Sequence, residues 1–133
     1  MGDHRDVNTI EELVELWVRS KLATEQMAAD HVRAYRENFL DSSPLPDTIT
    51  AFCSYLVSAG ALTPWQCQML RNGKWKGFYL DRYEIVDQLR REDGLIQCLA
   101  RDTEKDTYVQ LSIVTPPHAT GPRVQYTVDR EFS

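Results

Sequence analysis

The sequence has no long apolar run and is poor in cysteine, proline and glycine. Its 133 residues include three cysteines, six prolines and six glycines, which excludes a disulfide-dense scaffold and a collagen-like or low-complexity chain. No segment approaches the roughly 20 apolar residues of a membrane-spanning helix, and the start, MGDHRDVN, has no apolar signal region. These absences predict a globular, cytoplasmic protein with no membrane partner.

Positive charge and metal-binding patterns are also scarce. Fifteen Lys and Arg stand against twenty Asp and Glu, for a net charge of −5, which argues against a nucleic-acid partner. The three histidines form no H-x-x-x-H pair, and the three cysteines match no zinc motif. We therefore expect no metal, no cofactor and no nucleic acid.

What the sequence does contain is helical periodicity over its first 73 residues. Each predicted helix follows a Ser, Thr or Asp that can accept a hydrogen bond from the first turn. The strongest start is Thr63-Pro64-Trp65-Gln66, a capping box with proline in the first turn. The four predicted helices run over about residues 10–21, from Thr24 to about Leu40, from Asp47 to just before Gly60, and from Thr63 to Asn72-Gly73.

The periodicity changes to that of strands after Gly77. Apolar residues indicate strands from Tyr83, over 95–100 and over 108–114, and Asp93-Gly94 is typical of a tight hairpin. The sequence therefore predicts an α+β fold, with four N-terminal helices in a region 1–76 and a small antiparallel sheet in a region 77–133.

Fixed positions in residues 52–80, FCSYLVSAGALTPWQCQMLRNGKWKGFYL, carry a more specific signal. They resemble the leader before the kinase domain of many planctomycete-type bacterial serine/threonine protein kinases, L-V-x-x-G-x-L-T-x-W-Q-x-x-x-L-x-x-G-x-x-x-G-F-x-L-G-x-Y. Asp81-Arg82 displaces the glycine that usually precedes the tyrosine. The matching positions are Leu56, Val57, Gly60, Leu62, Thr63, Trp65, Gln66, Leu70, Gly73, Gly77, Phe78, Leu80 and Tyr83.

Residues 83–114, YEIVDQLRREDGLIQCLARDTEKDTYVQLSIV, extend the resemblance into the first strands of a kinase small lobe. On that frame the three glycines of the phosphate loop correspond to Arg90, Glu92 and Leu95, and the phosphate-binding lysine to Ser112. Glu131 resembles the control-helix glutamate that pairs with that lysine. The resemblance implies a control helix near this point, whereas the alternation of Val124, Tyr126 and Val128 predicts a short strand.

These replacements remove the chemistry of ATP handling. A kinase needs glycine so that backbone amides can close over the phosphates, and lysine to hold them electrostatically. The sequence contains no D-F-G motif, and its one H-R-D triplet, His4-Arg5-Asp6, precedes the leader, whereas a kinase catalytic loop follows the small lobe. The resemblance therefore implies a degenerate, pseudokinase-like protein that is not an enzyme and serves as a protein interaction or regulatory module.

Two alternatives remain open at this stage. In the first, Arg90 and Arg91 on the hairpin retain a nucleotide or another anion. In the second, an exposed sheet edge drives self-assembly. We also expect a protein partner or a homodimer formed mainly through residues 95–128. Trp65 is predicted to anchor the helices to the sheet, with a direct binding role as its alternative.

Overall fold

The computed structural model describes residues 7–38, 48–115 and 124–132, and the chain divides into two units, residues 1–76 and 77–133. The described part of the first unit is helical and that of the second is a single antiparallel sheet, so the predicted α+β class is confirmed. The helices are α1 (Ile10–Arg19), α2 (Glu25–Asn38), α3 (Thr48–Ser58) and α4 (Pro64–Arg71).

Three of the predicted helix starts are confirmed by their hydrogen bonds. The hydroxyls of Thr9 and Thr24 each accept from the backbone N–H three residues later, at 3.1 Å. Thr63 accepts from the N–H of Gln66, and the Gln66 side chain accepts from the N–H of Thr63, both at 3.1 Å. The predicted cap Asp47 and the predicted helix end at Leu40 lie outside the described residues.

The helical unit has an aromatic core. Trp17 and Phe52 are fully buried, and the Tyr35 ring lies edge-on to Phe52 with 5.2 Å between centroids. α3 ends at a left-handed Gly60, φ 76°, and the N–H of Ala61 then donates to the Leu56 carbonyl at 2.9 Å, which is the predicted helix stop. Further buried apolar residues are Ile10, Leu13, Ala28, Ile49, Leu56, Leu62 and Leu70.

The spacing of Met27, His31, Tyr35 and Phe39, four residues apart, predicts that they share one face of α2, but the buried face does not follow this spacing. Met27 is 46% exposed, while its neighbour Ala28 is fully buried. A step of four residues turns a side chain by about 40° around the helix axis, so the series that ends at the buried Tyr35 has left the core by Met27. Phe39, the next member of that series, lies outside the described residues.

The second unit is a five-stranded meander in which every strand pairs with the next one in sequence, in the order β1-β2-β3-β4-β5. The strand predicted around 124–128 is confirmed and extends further, so the control helix implied by the resemblance is wrong here. The two-residue β1 was not predicted. The strands are β1 (Tyr79–Leu80), β2 (Tyr83–Glu92), β3 (Leu95–Asp102), β4 (Thr107–Val114) and β5 (Gln125–Phe132).

The sheet is curled until its first and last strands meet at one end. In a flat sheet β5 would lie about 19 Å from β1, at four strand spacings. Instead the Tyr126 hydroxyl on β5 donates to the Asp81 carboxylate between β1 and β2 at 2.6 Å. Its ring also lies edge-on to Tyr83, with 5.9 Å between centroids. The inner face buries Ile85, Val86, Cys98, Ala100, Val109 and Leu111.

A buried carboxylate ties two turns of the sheet together. Asp102 is 2% exposed and accepts from the N–H groups of Glu104 and Lys105 and from Nε of Arg82 at 3.0–3.2 Å. The Thr103 hydroxyl donates to the Arg82 carbonyl at 2.6 Å. Burial alone would raise the pKa of Asp102, but the backbone donors and Arg82 outweigh it and lower that pKa.

Candidate functional site

The three residues that the resemblance aligns with a phosphate loop, Arg90, Glu92 and Leu95, lie on the tight β2–β3 hairpin. Its two-residue turn, Asp93-Gly94, is predicted correctly, and Gly94 is left-handed at φ 81°. Arg90 forms an ion pair with Glu92, two residues along the same strand. Leu95 lies directly opposite Glu92 and is half-buried. The three positions are thus brought together, as an ion pair beside an apolar side chain in a regular hairpin.

Arg91 is exposed on the same hairpin, opposite Ile96. Arg90 and Arg91 are consecutive residues of β2, and successive side chains of a strand point to opposite faces of the sheet. The two guanidinium groups therefore extend from opposite faces of the hairpin. Arg90 already has a carboxylate partner in Glu92. The hairpin therefore does not present the two arginines side by side towards one anion.

The structure does not bring Ser112 and Glu131 together. Ser112 on β4 lies opposite Thr127, and its hydroxyl donates to the Asp129 carboxylate. Glu131 on β5 lies opposite Val109. Val109 and Ser112 are three residues apart on β4, which is about 10 Å at the usual rise per residue. The Thr107 hydroxyl donates to Glu131 at 3.5 Å. Ser112 and Glu131 thus make separate contacts between β4 and β5.

A row of paired side chains crosses all five strands on the face opposite the buried one. Glu84 and Arg101 form its centre as an ion pair at 3.2 Å, and Arg101 also reaches Asp106 at 3.1 Å. Aromatic residues flank this pair, and Tyr108 is 47% exposed. Burial, reinforced by Glu84, raises the pKa of Tyr79. In strand order the row is Tyr79, Glu84, Arg101, Tyr108 and Phe132.

The helical unit has a groove of about 620 Å³ between α1 and α2. Apolar side chains line most of it, and exposed ion pairs lie at its rim. Arg36 reaches Glu11 across the two helices at 3.2 Å, and Arg33 reaches Asp30 at 2.6 Å. The groove is lined by Ile10, Glu11, Val14, Ala29, Val32, Arg33, Arg36 and Glu37.

Sequence reasoning missed this groove, although α2 carries a signal for it. Ala29, Val32, Arg33 and Arg36 recur at i, i+3, i+4 and i+7, which places them on one face of a helix. That face is separate from the buried face that carries Tyr35. The spacing along α2 therefore indicates the α2 side of the groove, which adjoins α1.

Trp17 and Trp65 of the helical unit differ in burial. Trp65 lies half-buried in the first turn of α4, beside the Thr63–Gln66 capping box. Trp17 of α1 is fully buried, 5.8 Å from the His31 ring. Burial therefore assigns the larger share of packing to Trp17, while the anchoring role of Trp65 stays a prediction.

The described residues contain no group of three or more His, Cys, Asp or Glu side chains placed to hold a metal ion. Within the same ranges, no helix has both the length and the apolar character needed to cross a bilayer. Comparison with known proteins returned no match, since no family model, curated protein or solved structure matches this chain.

Proposed function

We propose that this chain is a non-catalytic, degenerate kinase-like interaction module of the cytoplasm, which binds a partner protein through the α1–α2 groove. The observation that carries the proposal is the groove itself, a concavity of about 620 Å³ whose α2 side is separate from the buried face of that helix. No disulfide joins the three cysteines, all of which lie in the described ranges, and this supports a reducing compartment.

The groove has the chemistry of a site for an amphipathic helix or a similar apolar segment. Val14 and Val32 are half-buried and offer apolar surface that a partner can cover. Exposed ion pairs at the rim contribute little to stability and rearrange easily, so Arg36 and Glu11 can exchange partners when a ligand arrives. Apolar anchors surrounded by adaptable charges are typical of helix-in-groove recognition.

The arrangement of the hairpin supports the non-catalytic part of the proposal. Phosphoryl transfer depends on charges and metal ions positioned around the phosphates. At the corresponding positions Arg90 is neutralised by Glu92, and the Ser112 hydroxyl is bound to Asp129. These contacts hold the strands together, which supports a scaffold role for the sheet.

The two alternatives are supported less well. An anion site needs convergent donors, and Arg90 and Arg91 start from opposite faces of their strand. Self-assembly through β5 would use a true edge strand, but three consecutive charged residues, Asp129, Arg130 and Glu131, lie on it. Charged edge residues disfavour strand-to-strand association. The homodimer through residues 95–128 stays a prediction.

The proposal is tested with a charge placed in the groove. Val32→Glu puts a carboxylate on the groove wall, and Met27→Glu puts the same group on an exposed apolar site of the same helix outside the groove. A partner is captured from source cells with a photo-crosslinker at position 14, identified by mass spectrometry and titrated against purified variants. We expect Val32→Glu to weaken its binding at least about tenfold, or 1.4 kcal/mol, and Met27→Glu to leave it unchanged.

Circular dichroism of both variants controls for loss of fold. Equal affinities for the two folded variants would refute the groove as the binding site. If crosslinks arise only from a probe placed on residues 95–128, the partner surface lies on the sheet instead.

A further inference from the structure

Two of the three cysteines face each other between neighbouring helices. Cys53 on α3 is 7% exposed and Cys67 on α4 is 4% exposed, and the two helices pack together. The Cys67 thiol donates to the Cys53 backbone carbonyl at 3.9 Å. The two cysteines are therefore neighbours across the contact between α3 and α4.

The paired thiols also open onto a groove. A concavity of about 390 Å³ runs over the α3–α4 contact, and both cysteines line it together with Thr50, Gln68 and Arg71. The two cysteines therefore lie at the wall of a surface concavity, although both are buried residues. The Arg71 guanidinium offers this groove a positive charge, which suits an oxidant that carries carboxylates.

We propose that Cys53 and Cys67 are a two-electron oxidation site that closes to a disulfide by exchange with a small anionic disulfide such as oxidised glutathione. One cysteine thiolate attacks a sulfur of the reagent, which forms a mixed disulfide and expels one small thiolate. The second cysteine then attacks the protein sulfur of that mixed disulfide and expels the other. Two protein thiols are oxidised and the reagent is reduced to two thiols, so the protons balance.

The surroundings of the pair set the pace of this exchange. The hydrogen bond with Cys53, together with burial, raises the pKa of the Cys67 thiol, and Arg71 acts in the opposite direction. Since the thiolate is the nucleophile, the exchange is slow near neutral pH and accelerates as pH rises. Cys98 provides an internal reference, because it is buried on β3 and burial followed by the charge of Asp87 raises its pKa to about 11.

The proposal is tested on the full chain with oxidised glutathione at about pH 7 and about pH 9. Thiols are counted in denaturant after quenching, and we expect the number to fall from three to one, and from two to none in Cys98→Ala. Residues 37–71 form one tryptic peptide, with no Lys or Arg between the two cysteines. That peptide should lose the mass of two hydrogens, and chymotryptic cleavage after Tyr55 should yield two fragments held together until reduction.

The matched variants are Cys53→Ala and Cys67→Ala, each of which retains one member of the pair. We expect each to keep a free thiol or to stop at a stable mixed disulfide, and dithiothreitol to restore three thiols in the wild type. Oxidation that appears first at Cys98 or as a disulfide-linked dimer would overturn the proposal. A persistent mixed disulfide in the wild type would overturn it as well.

Discussion

Asp81 holds a backbone conformation that side chains other than glycine seldom adopt. Its φ is 54°, in the left-handed region, and in the leader pattern that residues 52–80 resemble, glycine stands at this position. The left-handed region costs a residue with a Cβ roughly 1–2 kcal/mol. Asp81 recovers part of that through its carboxylate, which accepts the hydrogen bond from Tyr126 that closes the sheet.

The two effects at Asp81 are separable by substitution. Asp81→Ala loses the hydrogen bond and keeps the backbone strain, whereas Asp81→Gly loses the hydrogen bond and relieves the strain. We expect the glycine variant to be more stable than the alanine variant by about 1 kcal/mol, measured by urea denaturation. Equal stabilities would mean that the turn relaxes to another backbone conformation.

Tyr126 gives this contact a dependence on alkaline pH. The hydrogen bond to Asp81, with burial and the Asp81 charge, raises the pKa of Tyr126 to about 12, above about 10 in an unfolded chain. Because the folded state holds the proton more tightly, the contribution is complete below about pH 10 and is lost as pH rises to about 12. We expect Tyr126→Phe to be less stable than the wild type below pH 10, and its free energy of unfolding to fall less steeply than that of the wild type above pH 10. Urea denaturation at a series of pH values measures both.

At the scale of elements, the sequence predicts features that depend on a few adjacent residues, and it carries no signal for contacts between residues far apart in the chain. The capping box of α4, the left-handed Gly60 and the Asp93-Gly94 hairpin are each read from a few adjacent residues, and each is confirmed. The Tyr126–Asp81 contact joins residues 45 positions apart, and β1 is only two residues long, so neither has a periodic signal. The groove was missed because Val14 and Val32 lie on different helices.

The strands owe their stability to the inner face of the sheet. Leu111 on β4 is fully buried, whereas Leu89 on β2 is 49% exposed. A leucine-to-alanine substitution at each position therefore compares a buried site of the sheet with an exposed one. We expect Leu111→Ala to cost about 2–5 kcal/mol and Leu89→Ala less than about 0.5 kcal/mol, by urea denaturation followed through the circular dichroism of the sheet. Similar losses at both positions would contradict the assignment of the inner face.

At the scale of the whole molecule, the chain is expected to show no useful affinity for ATP. A ligand at 100 times its dissociation constant stabilises a protein by about 2.7 kcal/mol, so binding would appear as a rise in melting temperature. We expect no rise with millimolar Mg-ATP. A rise that disappears in an Arg90→Ala, Arg91→Ala double variant would instead favour the anion-binding alternative.

The sequential strand order has a consequence for how the protein is made. Each strand can pair with its predecessor soon after it leaves the ribosome, because β1 to β5 follow one another in the sheet as they do in the chain. The hydrogen bond between Tyr126 and Asp81 has to wait for 45 further residues, which takes about 2 to 9 seconds of translation at 5–20 residues per second. During that interval the nascent sheet is open along the surface that β5 later covers, and this is when a chaperone has most to bind.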